Sequence, residues 1–173
     1  MMINRVQNLT FTALMAGILC IAGPIVIPIG MVPMSLVNMV IYLTIILLDK
    51  KKACLSVLIY LLIGFVGLPV FSGFTAGAGK LLGPTGGYLI GYLALSWIGG
   101  SVLEKMKRPI LSLVVGTVGM YILGTLWLMG QSKLDLLTAF SVGFAPFIVI
   151  DFLKILGAVF LGKTIKKRIT FIL

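Results

Sequence analysis

The sequence has 173 residues, 60% of them hydrophobic and only 10% charged, with a mean hydropathy of +1.22. Soluble domains are about 45–50% apolar, so this composition excludes them and points to an integral membrane protein. The net charge of +10 does not mark a nucleic-acid surface, because the 14 Lys and Arg are distributed along the chain instead of crowding one face of one element.

Between Arg5 and Asp49 lie 43 consecutive uncharged residues. One membrane helix takes about 20, and Pro24, Pro28 and Pro33 divide the run, so helices are predicted over about Asn8–Ala22 and Met34–Leu48. A basic residue ahead of an apolar run also marks a secretory leader. Here no small-residue cleavage site follows and the apolar pattern continues, which makes the segment a first helix. That helix carries Ala13, Ala16, Gly17 and Cys20 on one side, a shallow surface suited to close approach by another helix. Spacing leaves open whether the partner is a helix of this chain or another protein. The segment Gly23 to Pro33, with three prolines and two glycines, cannot be regular helix. Irregular backbone at membrane depth persists only where protein or a cavity shields it, so an outer lid or pocket rim is predicted. Helix two brings Ser35 and Asn38 to its outer end, as candidate polar contacts or as side chains bonded to backbone.

The third helix, about Ala53–Val66, leads into GLPVFSGFTAGAGKLLGPTGGY, Gly67 to Tyr88. Its glycines imply a tightly folded chain, and Leu68, Pro69, Val70 and Phe71 in succession call for burial, so this stretch is predicted to be a packed cap. Lys80 is its only charge. It is either an anchor for an incoming carboxylate or a lysine solvated at the interface. Helix four begins near Thr85, with Gly83, Gly87 and Gly91 on a stripe for close helix contact and Tyr88 at its mouth; Trp97 has no evident place. Helix five, about Ile110–Met129, holds Gly116, Gly119 and Gly124, and Trp127 as an interfacial anchor.

The last apolar stretch, Thr138 to Gly162, carries Asp151 and Lys154 where a span should carry no charge. A central charge costs roughly 2.5 to 3.5 kcal/mol, and such residues pair, face the interior and mark a solute path. At i and i+3 the two share a face, and Phe144, Phe147, Ile148 and Ala158 follow on that side, as a pocket wall would. The competing view is a neutralising ion pair that only locks two helices. Pro146 frees a backbone carbonyl and is expected to kink the helix beside the pair.

The expected fold class is therefore all-α, a single domain over residues 1–173 made of six transmembrane helices. Eleven of the 14 basic residues fall before helix one, between helices two and three, between four and five, and after six, so the positive-inside rule puts both termini in the cytoplasm. Cys20 and Cys54 are predicted at opposite membrane faces, too far apart to bridge.

Gly157 to Thr164 satisfies GxxxxGK[ST], but it closes an apolar helix instead of linking a strand to a helix, so no nucleotide site is predicted. There is no histidine, and the acids are only Asp49, Glu104, Asp135 and Asp151. Metal sites and histidine-based proton transfer lose their usual groups, and catalysis is not expected.

YLLIGFVGLPVFSG at Tyr60 to Gly73, LLGPTGGYLIGY at Leu81 to Tyr92, Pro146-Phe147 and the D-x-x-K run Asp151 to Lys154 together resemble the BioY family, the biotin-binding components of energy-coupling factor transporters. The resemblance covers nearly the whole chain. It implies six helices and a membrane receptor for biotin in the cell membrane. It also implies a transmembrane coupling protein and a pair of ATPases as partners, so that ATP is used by those subunits and this chain needs no cofactor. Where the family usually shows Leu-Gln this chain has Leu36-Val37, so a polar contact is missing or is supplied by Asn38.

Biotin offers a ureido head, a thioether ring and a carboxylate tail. Asp151 suits the ureido N–H groups and Lys154 the ureido carbonyl through charge-assisted bonds. Lys80 would hold the carboxylate, Phe71, Tyr88, Phe144 and Phe147 would enclose the ring, and head and tail assignments can be exchanged. Ala13, Ala16 and Gly17 are the candidate contact for the coupling protein. Another vitamin on the same scaffold, or a small membrane enzyme or assembly factor, are the competing functions.

Overall fold

A computed structural model describes residues 2–28 and 32–172. Helix α1 spans Met2–Ala22, and the chain then turns extended: β1 (Val26–Ile27) pairs antiparallel with β2 (Met34–Ser35), Val26 opposite Ser35 and Ile27 opposite Met34. The prolines that deny a helix here leave room for this short ladder. Met34 and Ser35, expected as the start of the second helix, belong to it instead. Residues 29–31 of the predicted rim lie outside the described residues.

Helix α2 (Val37–Leu47) is short, and Asp49 caps α3 (Lys50–Phe65) by accepting from the Lys52 amide at 2.9 Å. A small helix α4 (Ala78–Leu82) interrupts the glycine-rich stretch, and α5 (Gly86–Met106) and α6 (Pro109–Ser132) form a long hairpin. The predicted last span is broken. It comes as α7 (Leu136–Gly143), a 3-10 turn over Ala145–Phe147, and α8 (Ile148–Ile172). Pro146 has no amide to donate, so the helical ladder restarts after it. Residues Gly157 to Thr164 are continuous helix within α8, not a phosphate loop.

By length and apolarity, Gly86–Met106, Pro109–Ser132 and Leu136–Arg168 suffice to cross a bilayer; Val6–Ala22 and Val37–Leu47 are apolar but shorter. The chain is mostly helical, and α2 sits at its centre with Val37, Ile41, Tyr42 and Ile45 almost fully buried against its neighbours.

Glycines of both helices pack the α5–α6 hairpin, although Gly83 of the predicted stripe precedes α5 and a side-chain carbon there would meet only its own segment. Gly91 faces Met120, Gly99 faces Gly116, and a side-chain carbon at Gly124 would overlap the Tyr88 ring. Two tryptophans find roles that spacing did not assign. Trp127 donates its indole N–H to the Gly83 carbonyl at 3.0 Å, tying α6 to the cap. The Trp97 ring lies 5.3 Å under the Lys50 ammonium, which also pairs with Glu104 at 3.1 Å. Within the cap, Phe71 is fully buried, whereas Leu68 and Phe74 are exposed, so only part of that segment is packed.

Candidate functional site

Beneath the strand pair and the segment from Gly67 to Thr85, a cavity of about 50 Å³ opens between α2, α3, α5, α6 and α8. The helices supply Asn38, Tyr60, Tyr88, Tyr92, Met120, Tyr121, Asp151 and Lys154, the 3-10 turn supplies Phe147, and the cap supplies Met34, Ser35, Ser72 and Thr85 among others.

Asp151 is the centre of its polar network. It is 2% exposed and lies in the first turn of α8, where the amide end of the helix favours a carboxylate. The Pro146 break puts it there. Its Oδ2 accepts from Tyr121 Oη at 2.6 Å and from Asn38 Nδ2 at 2.8 Å, while Oδ1 accepts from Lys154 Nζ at 2.8 Å. Lys154 also donates to the Ser35 carbonyl at 2.8 Å, so its ammonium has used two of its three hydrogens. Three helices and the strand pair thus converge on one ion pair. Burial without such donors would be strongly unfavourable, because a desolvated charge needs both its counter-ion and hydrogen bonds.

Of the residues expected at the site, Asp151, Lys154, Asn38, Tyr88 and Phe147 line the cavity; Lys80, Phe71 and Phe144 do not. Phe71 lies behind the wall, packed edge-on against Tyr60 with ring centroids 5.6 Å apart and seated over Gly64. Phe144 turns toward the outer side of Tyr121, 4.7 Å from that ring and 4.8 Å from Phe140. Lys80 stands on α4, partly buried, and its ammonium has no hydrogen bond or ion pair among the described residues. Partial burial lowers its pKa from the usual lysine value.

Tyr60, Tyr92, Met120 and Tyr121 line the cavity and were not singled out in the sequence. A tyrosine inside an apolar run was the available clue, since a buried phenol must find a partner. Tyr88 donates to the Gly143 carbonyl at 3.0 Å, so it fixes α7 against α5 while its ring lines the cavity.

The predicted small-residue face of α1 is divided. Ala16 is 2% exposed and packs inside the chain with Thr12, Met15 and Leu19, whereas Ala13 and Gly17 are exposed and nothing approaches Gly17 within 4 Å. The helix turns Thr12 toward α3, where Ser56 donates to its carbonyl at 2.9 Å, and Ala16 follows Thr12 on that side one turn later.

A model of the BioY family matches residues 1–171. Biotin transporter BioY2 of Lactococcus lactis subsp. cremoris is 33% identical over 171 residues, covering 96% of this chain and 94% of the relative. Biotin transporter BioY of Thermotoga maritima is 34% identical over 166 residues, covering 93% and 96%. The crystal structure of the S-component for biotin from an ECF-type ABC transporter superposes with a TM-score of 0.88 at 32% identity, covering 95% of this chain and 93% of that one. With the family model spanning almost every residue and the fold shared throughout, this chain belongs to the BioY family.

Proposed function

We propose that this chain is a membrane receptor for biotin, capturing it on the outer side and delivering it inward together with a coupling protein and ATPases. The observation that carries the reading is the buried Asp151–Lys154 pair, held by Tyr121, Asn38 and the Ser35 carbonyl at the wall of a roofed cavity, in a chain of the BioY family. Its relatives are named transporters and its solved neighbour a transporter component; it is not an enzyme.

The network leaves capacity for a ureido group. Asp151 has lone pairs beyond the three bonds it accepts, and Lys154 has one hydrogen left. A ureido N–H donates to the first, and the ureido carbonyl accepts from the second. Tyr88, Tyr92 and Phe147 flank the ring, and the tail runs toward the cap, where Ser72 and Thr85 line the cavity and Lys80 stands beyond them. At about 50 Å³ the cavity holds a few waters, each needing roughly 10–15 Å³ by this measure, so a bicyclic solute enters by displacing the cap.

The single domain crosses the membrane six times, with α7 and α8 counted as one broken span and both termini inside. The distribution of Lys and Arg supports this orientation. Ala13 and Gly17, exposed on α1, are the contact for the coupling protein.

Calorimetric titration of the purified chain with biotin tests the reading. One site per chain is expected, and mass spectrometry of ligand released from the protein should return biotin. Absence of heat, or release of a different vitamin, refutes it.

A further inference from the structure

A groove of about 490 Å³ opens where the α5–α6 turn and the first turn of α6 meet α8. Lys107, Arg108 and Lys163 border it, and Leu111, Val114 and Val159 form its wall. No acid neutralises this rim. Among the described residues Asp49 pairs with Lys52, Glu104 with Lys50 and Asp151 with Lys154, while Asp135 caps α7. The three rim cations make no side-chain hydrogen bond or ion pair among the described residues. Arg108 also begins α6 without a side-chain cap, so the partial positive charge of the helix end adds to theirs. The wall, for its part, does not end at the groove. Exposed Val115, Val118 and Ile122 continue it along α6, and at membrane depth such a face meets acyl chains.

We propose that this groove binds one anionic glycerophospholipid, with its phosphate held by Lys107, Arg108 and Lys163 and one acyl chain laid along Leu111, Val114 and Val159. The volume falls within the range of ligand sites, roughly 300–1,000 Å³. Charge complementarity selects an anion, and the apolar wall selects an anion that carries its own apolar part. An acidic peptide from a soluble partner would satisfy the rim and leave the wall uncovered. The inference rests on the orientation that places the α5–α6 turn at the cytoplasmic surface, where basic pockets between helices take anionic headgroups. It does not depend on which solute the central cavity takes.

The test uses the full chain in detergent, titrated with phosphatidylglycerol or with phosphatidylcholine of the same acyl chains and read by native mass spectrometry. One phosphatidylglycerol should be retained at least about tenfold better than phosphatidylcholine. The preference should vanish when Lys107→Ala, Arg108→Ala and Lys163→Ala are combined. It should persist when Lys51→Ala, Lys105→Ala and Lys167→Ala are combined, since those lysines share the same end of the molecule but not the groove. Biotin titration reports folding of both variants, because neither set touches the cavity. Should the first not fold, Val114→Trp, which fills the wall and keeps the charges, must lose the lipid in its place. Equal retention by the groove variant, equal loss in the control variant, or displacement of the lipid by inorganic phosphate or an acidic peptide alone overturns the proposal.

Discussion

Tyr121 donates its phenolic hydrogen to Asp151 at 2.6 Å, from the middle of α6 to the first turn of α8. It shares Oδ2 with Asn38, so the carboxylate is aimed by two neutral donors while the lysine holds its other oxygen. Hydrogen bonds to a charged group contribute about 1.5–3 kcal/mol. Tyr121→Phe should therefore lower the melting temperature in detergent and weaken biotin binding by about tenfold. A variant that binds as tightly as the parent would show that the carboxylate needs no aiming.

The ion pair separates stability from recognition. Asp151→Asn leaves Lys154 buried beside a neutral partner, and Lys154→Met leaves Asp151 without its counter-ion; each should destabilise by about 3–5 kcal/mol. The double substitution removes both charges and should recover much of that loss without recovering biotin binding. Thermal denaturation and titration of the three variants check this. A double variant that binds normally would reduce the pair to a helix lock.

Phe71 and Phe144 should behave oppositely. Phe71 is fully buried beneath Tyr60, so Phe71→Ala should cost about 3–5 kcal/mol of stability and weaken binding through the displaced Tyr60. Phe144 packs on the far side of Tyr121, and Phe144→Ala should change biotin affinity less than about threefold, around 0.7 kcal/mol.

Lys80 tests where the carboxylate lies. Its ammonium is not part of the cavity lining, so Lys80→Ala should lower affinity for biotin less than about threefold and leave any preference over biotin amide intact. A tenfold loss confined to the free acid would mean that α4 closes onto the bound tail.

On α1, Gly17→Trp should stop uptake in cells carrying the partner subunits and spare biotin binding, because among the described residues no other part of the chain lies within 4 Å of a side-chain carbon placed at Gly17. Ala16→Trp should instead damage the fold, because Ala16 is enclosed.

Much of this was legible in the sequence because membrane depth punishes charge. Asp151 and Lys154 stood out for that reason, and the proline at 146, read as a kink, lies at the break that places them. The glycine stripe of helix four marked a face for close helix contact, though not which helix would meet it. What was not legible depended on rotation about helix axes. Ala13 and Ala16 are three apart and look like one face, yet α1 turns one outward and the other in. Phe144 and Phe147 are likewise three apart and both touch the Tyr121 ring, but only Phe147, on the 3-10 turn, lines the cavity. The strand pair was hidden because two residues per strand carry no periodicity. Tyr121 was hidden because one phenol barely alters the hydropathy of a 24-residue helix.

Helix α2 has 11 residues, which rise about 16 Å, roughly half the 30 Å thickness of the hydrocarbon layer. In the proposed orientation the first turn of α2 faces outward, and the depth above it holds the strand pair and the glycine-rich segment with its short helix α4. On the proposed route, a solute reaching Lys154 would shed its hydration shell well before all its contacts are made. Selection on that route would begin with the cost of dehydration, and a molecule with one compact polar head and a lean apolar body would pass that test more easily than a sugar or a peptide of equal size.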